Sequence, residues 1–234
     1  VVDYEPLPAL ADYATAVGSD ELVHDAYPGN LAADVGILPP ETLDDTWVSA
    51  AHVVDATIHQ QAYAAVPMET RGLVVEWSAS SGELTIWAAT QAPHEVRAFA
   101  ARLLGIPEHK VRVLMRDTGG GFGQKVIPMR EDMAVLLAAR LVAGPLKWIE
   151  DRRENLLGAG QARHEHGRVR MAFDEEGTFL AAQLDHVQDV GAYPTPAPGQ
   201  AAFAVGLMFP GPYRIPAGNF TTKLVFSNTP GRTA

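Results

Sequence analysis

Val111-Arg112-Val113-Leu114-Met115, a short polar link, then Gly119-Gly120-Gly121-Phe122-Gly123 decide how this chain reads. The apolar run predicts a β-strand. The glycines that follow give a backbone that a ligand can approach closely and that reaches positive φ without steric cost. One bulky aromatic, Phe122, sits inside them. A helical pattern resumes from about Arg130. Strand, glycine loop and helix in this order present backbone N–H groups to an anionic or oxygen-rich ligand. A tight, close-packed strand-to-helix turn accounts for the same residues, and the loop by itself favours neither.

Working outward, Arg71–Ser78 and Glu83–Thr90 read as strands joined by Ala79-Ser80-Ser81-Gly82, a hairpin. Pro93 opens a helix with Thr90 or Gln91 near its cap; Val96, Phe99, Ala100, Leu103 and Leu104 share helical spacing, and Gly105 stops it. A second helix is expected from about Glu131 to Ala143, ended by Gly144-Pro145, and then a strand over Leu146–Asp151. Upstream, residues 1 to about 40 read as a connector. Asp44–Ala51 reads as a short helix with Trp47 and Val48 inward, and His52–Tyr63 as a strand. Downstream, Arg168–Phe173 and Phe179–His186 form a hairpin around Asp174-Glu175-Glu176-Gly177. Gly191–Gly199 reads as a loop, Ala201–Met208 as a helix and Lys223–Phe226 as a closing strand. Strands outnumber helices and hairpins recur, so the fold class expected is α+β, with mixed sheets, hairpins and packed helices, not a doubly wound sheet.

The chain has 234 residues, 47% hydrophobic and 20% charged, which supports a packed core. A net charge of −10 without a basic stripe argues against nucleic acid as a partner. The chain contains no cysteine, which excludes disulfides, thiolate metal sites and Cys nucleophiles within it. That absence fits a reducing compartment, and cytoplasmic residence is expected. No apolar run approaches the roughly 18–20 residues of a membrane helix, and Val1-Val2-Asp3-Tyr4 does not open a signal peptide. The two ends suggest a fragment of a longer polypeptide.

Known phosphate cradles do not match the glycine loop. A P-loop needs Lys followed by Ser or Thr, but Val126 follows Lys125; a dinucleotide fingerprint starting at Gly121 and Gly123 would need glycine at Val126. Gln91, between a strand and a proline-started helix, carries an amide able to donate and accept; for Gln91 alone, a bond to its own backbone explains it as well. His164 and His166 alternate and read as a solvated strand face, outside any recognised metal spacing. Glu150-Asp151-Arg152-Arg153-Glu154 reads as a surface ion-pair network, worth little per pair. Trp77, Trp87 and Trp148 are expected in the core. No nucleophile triad or catalytic carboxylate pair stands out, and no direct metal ligand is assigned.

Taken together, Trp87-Ala88-Ala89-Thr90-Gln91-Ala92-Pro93-His94, Leu104-Gly105-Ile106-Pro107 and Gly119-Gly120-Gly121-Phe122-Gly123-Gln124-Lys125 resemble one family. It is the large, molybdopterin-binding subunit of the xanthine dehydrogenase/aldehyde oxidase family, which includes aerobic carbon monoxide dehydrogenases. Pro67-Met68-Glu69, Pro145-Leu146-Lys147-Trp148 with Asp151-Arg152, and Asp189-Val190-Gly191-Ala192-Tyr193 add matches in the same order. The resemblance runs from about residue 30 onward. It implies that residues 1–30 leave a preceding small domain and that residues 31–234 form the first part of a molybdenum-cofactor-binding domain. It implies oxidative hydroxylation of an aldehyde, heterocycle or CO-like small molecule, with water as oxygen source and a molybdenum–molybdopterin cofactor, a pterin dinucleotide in the full-length protein. Iron–sulfur clusters and FAD would sit on partner subunits or domains, and a dimer of heterotrimers is the assembly implied. By position, Gln91 matches the glutamine whose amide donates to an oxygen ligand of molybdenum. Gly120, Gly121, Phe122 and Gly123 match the loop against the cofactor, with Gln91 and Phe122 nearest the chemistry.

Purine-oxidising members carry a glutamate where this chain has Val126, and an arginine where it reads Ala202-Phe203-Ala204-Val205, so the resemblance leans toward aldehyde or carbon monoxide oxidation. The family's base and substrate-side arginine loop would lie beyond Ala234, which implies an inactive fragment. Two other readings stand beside it: a cofactor-free homologue acting in assembly or interaction, and an unrelated small-anion binding domain.

Overall fold

The computed structural model describes residues 2–36, 43–194 and 199–233. In chain order these hold α1 (Tyr13–Ala16), β1 (Leu31–Gly36), α2 (Asp44–Ser49), β2 (His52–Ala64), β3 (Gly72–Ser78), β4 (Glu83–Ala88), α3 (Pro93–Leu104), β5 (Val111–Leu114), α4 (Arg130–Ala138), β6 (Leu146–Ile149), α5 (Arg152–Gly158), β7 (Gln161–Phe173), β8 (Phe179–Asp189), α6 (Gln200–Met208) and β9 (Ala217–Val225). They divide into two compact units, one of residues up to Tyr63 with Arg163–Arg232, the other of Ala64–Ala162 with Thr233.

The second unit carries the glycine loop. Alternation along β3 turns Leu73 and Val75 inward, and β4 does the same with Leu84 and Ile86. Antiparallel pairing sets Val75 opposite Ile86 and Trp77 opposite Leu84. Val96, Ala100 and Leu104 form one buried stripe on α3. Pro93 starts that helix where no N–H is needed, and Gly105 ends it at φ 64°. α3 is the crossover that lets β5 run parallel to β4. The sheet order is β5-β4-β3-β6, and Leu136 of α4 joins the same core.

The first unit holds a five-stranded sheet of order β1-β9-β8-β7-β2. β7 and β8 form a hairpin whose turn is tied by Asp174 Oδ1, which accepts from Glu176 N at 3.0 Å and Thr178 N at 2.7 Å. β9 runs parallel to β8 and antiparallel to β1. Both sheets are therefore mixed, as expected for the α+β class.

Several elements differ from the sequence reading. The connector contains α1 and β1; Asp12 Oδ1 caps α1 by accepting from Ala14 N. Residues 37–40 of it, and 195–198 of the loop after Gly191, lie outside the described residues. Trp47 packs beside Leu43, Ala172 and Ala181, but Val48 points out at 88% exposure. α4 stops at Ala138, because Arg140 N and Leu141 N bond three residues back and tighten the last turn. Trp77 and Trp148 pack on the core; Trp87, on the opposite face of β4 from Ile86, is exposed. β8 and β9 run longer than the alternation suggested, because Gln188 and Thr222 take buried places an apolar count passes over, and β7 starts at Gln161, before the expected Arg168.

Candidate functional site

The loop's shape follows from its glycines. Gly120 and Gly123 sit at φ 90° and 88°, and Phe122 between them at φ 52°. For a phenylalanine this left-handed backbone costs about 1–2 kcal/mol, yet the residue is 68% exposed. A Cβ on Gly121 would stand 2.1 Å from Gln91 Oε1, and one on Gly119 2.6 Å from Glu69 Cβ. At these two positions close approach, not conformational freedom, requires glycine.

Gln91 is bound to this loop rather than to its own helix. Its N–H donates to Lys125 O at 3.0 Å, and its Oε1 accepts from Gly123 N at 3.1 Å and Lys125 N at 3.3 Å. The acceptor end of the amide is thereby committed to the loop. Nε2 is the end left over, with no acceptor among the described residues. The N–H groups of Gly120, Gly121 and Phe122 likewise meet no acceptor there, although Gly121 is buried. Unpaired buried backbone donors are rare.

Behind the loop lie groups the sequence reading left unassigned. Glu69 Oε2 accepts from Gly119 N and from Lys125 Nζ, both at 2.8 Å. Desolvation pushes the Glu69 carboxyl up, but Lys125 and the Gly119 amide outweigh it and hold it below its ordinary value. Thr90 Oγ1 donates to Lys125 O at 3.0 Å, and Thr118 Oγ1 to Thr90 O at 3.2 Å. Gln124 is buried: Nε2 donates to Gly160 O at 3.1 Å, and Oε1 accepts from Asn155 Nδ2 at 2.8 Å. Asn155 also donates to Glu150 Oε2, and Glu150 Oε1 meets Arg71 Nη2 at 2.5 Å.

The run from Glu150 to Glu154 is therefore not a surface network. Glu150 is buried against Arg71 at 1% exposure. Asp151 caps α5, Oδ1 accepting from Glu154 N at 2.8 Å while Glu154 Oε2 accepts from Asp151 N at 2.9 Å. The spacing Asp-x-x-Glu carried this signal as a capping box. Arg152 Nη2 donates to Met68 O at 3.2 Å and also to Pro67 O, beside Glu69.

In the other unit, His164 and His166 both pack against Tyr13, so the side they share is covered and not solvated. Arg163 and His164 sit at φ 66° and 68°, which breaks the alternation before pairing with β8 begins at Glu165. His164 Nδ1 lies 2.6 Å from Asp189 Oδ2, and Tyr13 stacks on His166. Burial, with His59 and His186 nearby, holds the His166 imidazole below its ordinary value. Asp189 is fully buried; burial pushes its carboxyl up, but Arg232, Gly191 N and Ser227 hold it below its ordinary value. No group of three or more His, Asp or Glu is arranged to hold a metal ion among the described residues.

Against known proteins, the family model for the molybdopterin cofactor-binding domain matches residues 23–234. This chain belongs to that family. It is 36% identical to the nicotine 6-hydroxylase large subunit of Paenarthrobacter nicotinovorans over 80% of this chain and 23% of that one. It is 32% identical to the carbon monoxide dehydrogenase large chain of Afipia carboxidovorans over 97% of this chain and 30% of that one. Among solved structures, quinoline 2-oxidoreductase from Pseudomonas putida 86 superposes with a TM-score of 0.92 at 34% identity, covering 99% of this chain and 30% of that one. The chain thus spans between 23% and 30% of the length of these relatives. No helix among the described residues is long and apolar enough to cross a membrane.

Proposed function

We propose that residues 87–125 form one wall of the molybdenum site in the large subunit of a molybdenum hydroxylase, a longer protein that oxidatively hydroxylates an aldehyde, a heterocycle or a CO-like small molecule with water as oxygen source. The observation that carries this is the committed amide of Gln91: with Oε1 held by Gly123 N and Lys125 N, only Nε2 remains to be presented. An oxygen-rich group is what a lone donor beside three acceptor-free loop amides fits. The bound molybdenum–molybdopterin cofactor would supply the two-electron redox chemistry.

Each residue then has a defined task. Gln91 Nε2 donates to an oxygen of the group. Gly121, free of a Cβ, brings its backbone closer than a side chain allows, and the amides of Gly120, Gly121 and Phe122 supply further donors. Phe122, 68% exposed, would offer its ring as an apolar contact to the group or the substrate. Glu69 and Lys125 hold the loop from behind. At the sequence positions where purine-oxidising members of the family carry a glutamate and an arginine, this chain has Val126 and Ala202-Phe203-Ala204-Val205, which favours the aldehyde or carbon monoxide type of substrate. Electrons would leave to iron–sulfur and FAD partners; the relatives named as large chains and subunits support such an assembly.

Gln91→Glu tests this in the full-length protein. The carboxylate keeps the acceptor for both loop amides and replaces the outward donor with a second acceptor. Bound molybdenum per chain should fall, and dye-coupled aldehyde or heterocycle oxidation should drop about tenfold to a hundredfold, the worth of one charge-assisted hydrogen bond. Wild-type molybdenum content and turnover would overturn the assignment.

A further inference from the structure

Asn155 stands at a junction inside the second unit. It lies on α5, one turn past the Asp151 cap, and is buried. Its Nδ2 donates to Gln124 Oε1 and to Glu150 Oε2, both at 2.8 Å, and its Oδ1 accepts from Arg152 Nη1 at 2.7 Å. Groups that cannot change roles force these orientations. Gly160 O only accepts, so Gln124 turns Nε2 to it at 3.1 Å and leaves Oε1 to face Asn155. Arg152 only donates. The side chain at 155 must therefore offer two donors to two acceptors and one acceptor to a guanidinium. An asparagine amide meets all three demands; an ionised carboxylate of the same shape meets only the last.

The junction leads to the glycine loop by two routes. Gln124 is the middle one of three residues: its neighbours Gly123 and Lys125 donate their N–H groups to Gln91 Oε1, and its own N–H donates to Gly121 O at 3.0 Å. Rooting the buried Gln124 side chain thus fixes the backbone that holds the Gln91 amide. By the second route, Arg152 Nη2 donates to Met68 O and Pro67 O, next to Glu69, whose carboxylate binds Gly119 N and Lys125 Nζ. Every partner in both routes lies within residues 67–160, in one compact unit. In a buried network, removing one member leaves the others desolvated and unpaired.

We propose that Asn155 is a positioning residue for the candidate site: through Gln124 it fixes the loop amides that hold Gln91 Oε1, and so the direction in which Nε2 is presented. The proposal rests on the functional reading above only in taking Nε2 as the donor the site uses; its hold on the loop is independent of that reading.

The test uses the full-length protein, first in molybdenum-free form. Asn155→Asp keeps the shape and the acceptor for Arg152, removes both donors and sets a carboxylate against Glu150. Amide exchange across residues 121–125 should run roughly tenfold faster than in the wild type at neutral pH. The introduced carboxyl would face Glu150, with Arg71 behind it, Arg152 and Gln124. As pH falls through the carboxylate range it takes up a proton and regains an O–H donor, so the excess over the wild type, read at the same pH, should shrink. Asn155→Ser removes the donors without adding a charge and should quicken the same amides, which covers an aspartate variant that does not fold. Val75→Ala, in the core of β3 and outside both routes, should lower the melting temperature but leave loop exchange at the wild-type rate. Wild-type loop exchange in the folded Asn155 variants, or an equal rise in Val75→Ala, overturns the proposal. In metal-loaded protein the Asn155 variants should lose kcat with KM unchanged. Faster loop exchange at wild-type kcat and molybdenum content would leave Asn155 holding the loop and defeat the assignment of Gln91 instead.

Discussion

At Gly121 the chain has no freedom of residue choice, because a methyl group there would meet Gln91 Oε1 at 2.1 Å. Gly121→Ala should push the amide off Gly123 and Lys125, lowering the melting temperature of the full-length protein modestly and its molybdenum content severely; intact metal loading would show that the loop tolerates the shift. Glu69 sets a pH dependence. Its folded carboxyl lies below its ordinary value, so its contribution is present above the ordinary glutamate range and is lost as pH falls through the lowered folded value. Thermal melts across that acid window should lose stability in the wild type, and Glu69→Gln should flatten this part of the curve. A variant curve that still follows the wild type would place the lost stability elsewhere. Gln91 and the glycines were visible in the sequence as residue types with unusual abilities. Glu69 and Lys125 were visible only as letters beside them, because nothing local says that residues 69, 119 and 125 meet.

Among elements, α5 shows how an ordinary-looking charge run acquires different roles by position. Glu150 faces Arg71 inside the second unit, Asp151 closes the helix end, and Arg152 reaches the backbone of residues 67–68. Asp151→Ala should cost about 1 kcal/mol through loss of the cap. Glu150→Ala should cost about 3–5 kcal/mol, because it leaves the Arg71 guanidinium buried with its closest carboxylate gone. Chemical denaturation of the two variants should therefore separate by several-fold in effect; equal small losses would return this run to the surface. The capping box was legible in the spacing of Asp151 and Glu154. The burial of Glu150 was not, since a carboxylate goes inside only when a partner, here Arg71 at a separation of 79 residues, arrives with it. The hairpin of β3 and β4 and the stripe of α3 were legible for the opposite reason: their apolar periods are local.

For the molecule as a whole, the family sets the scale. A chain that spans between 23% and 30% of its relatives supplies one wall of the site in the reading proposed above. Purified alone, these 234 residues should neither retain molybdenum nor oxidise an aldehyde, whereas the full-length protein should do both; turnover by the isolated chain would reject the shared-site reading. The sequence by itself determined the α+β class, the strand–loop–helix order around Gly119–Gly123, and the pairing of that loop with Gln91 through a family pattern. It did so because periodicity, glycine and proline act over a few residues, and because motif order survives in one dimension. The tertiary structure decided which end of the Gln91 amide is left to donate, which carboxylate anchors the loop, and which of the charged residues are buried. Those outcomes depend on distances between residues far apart in the chain, which only the closed fold creates.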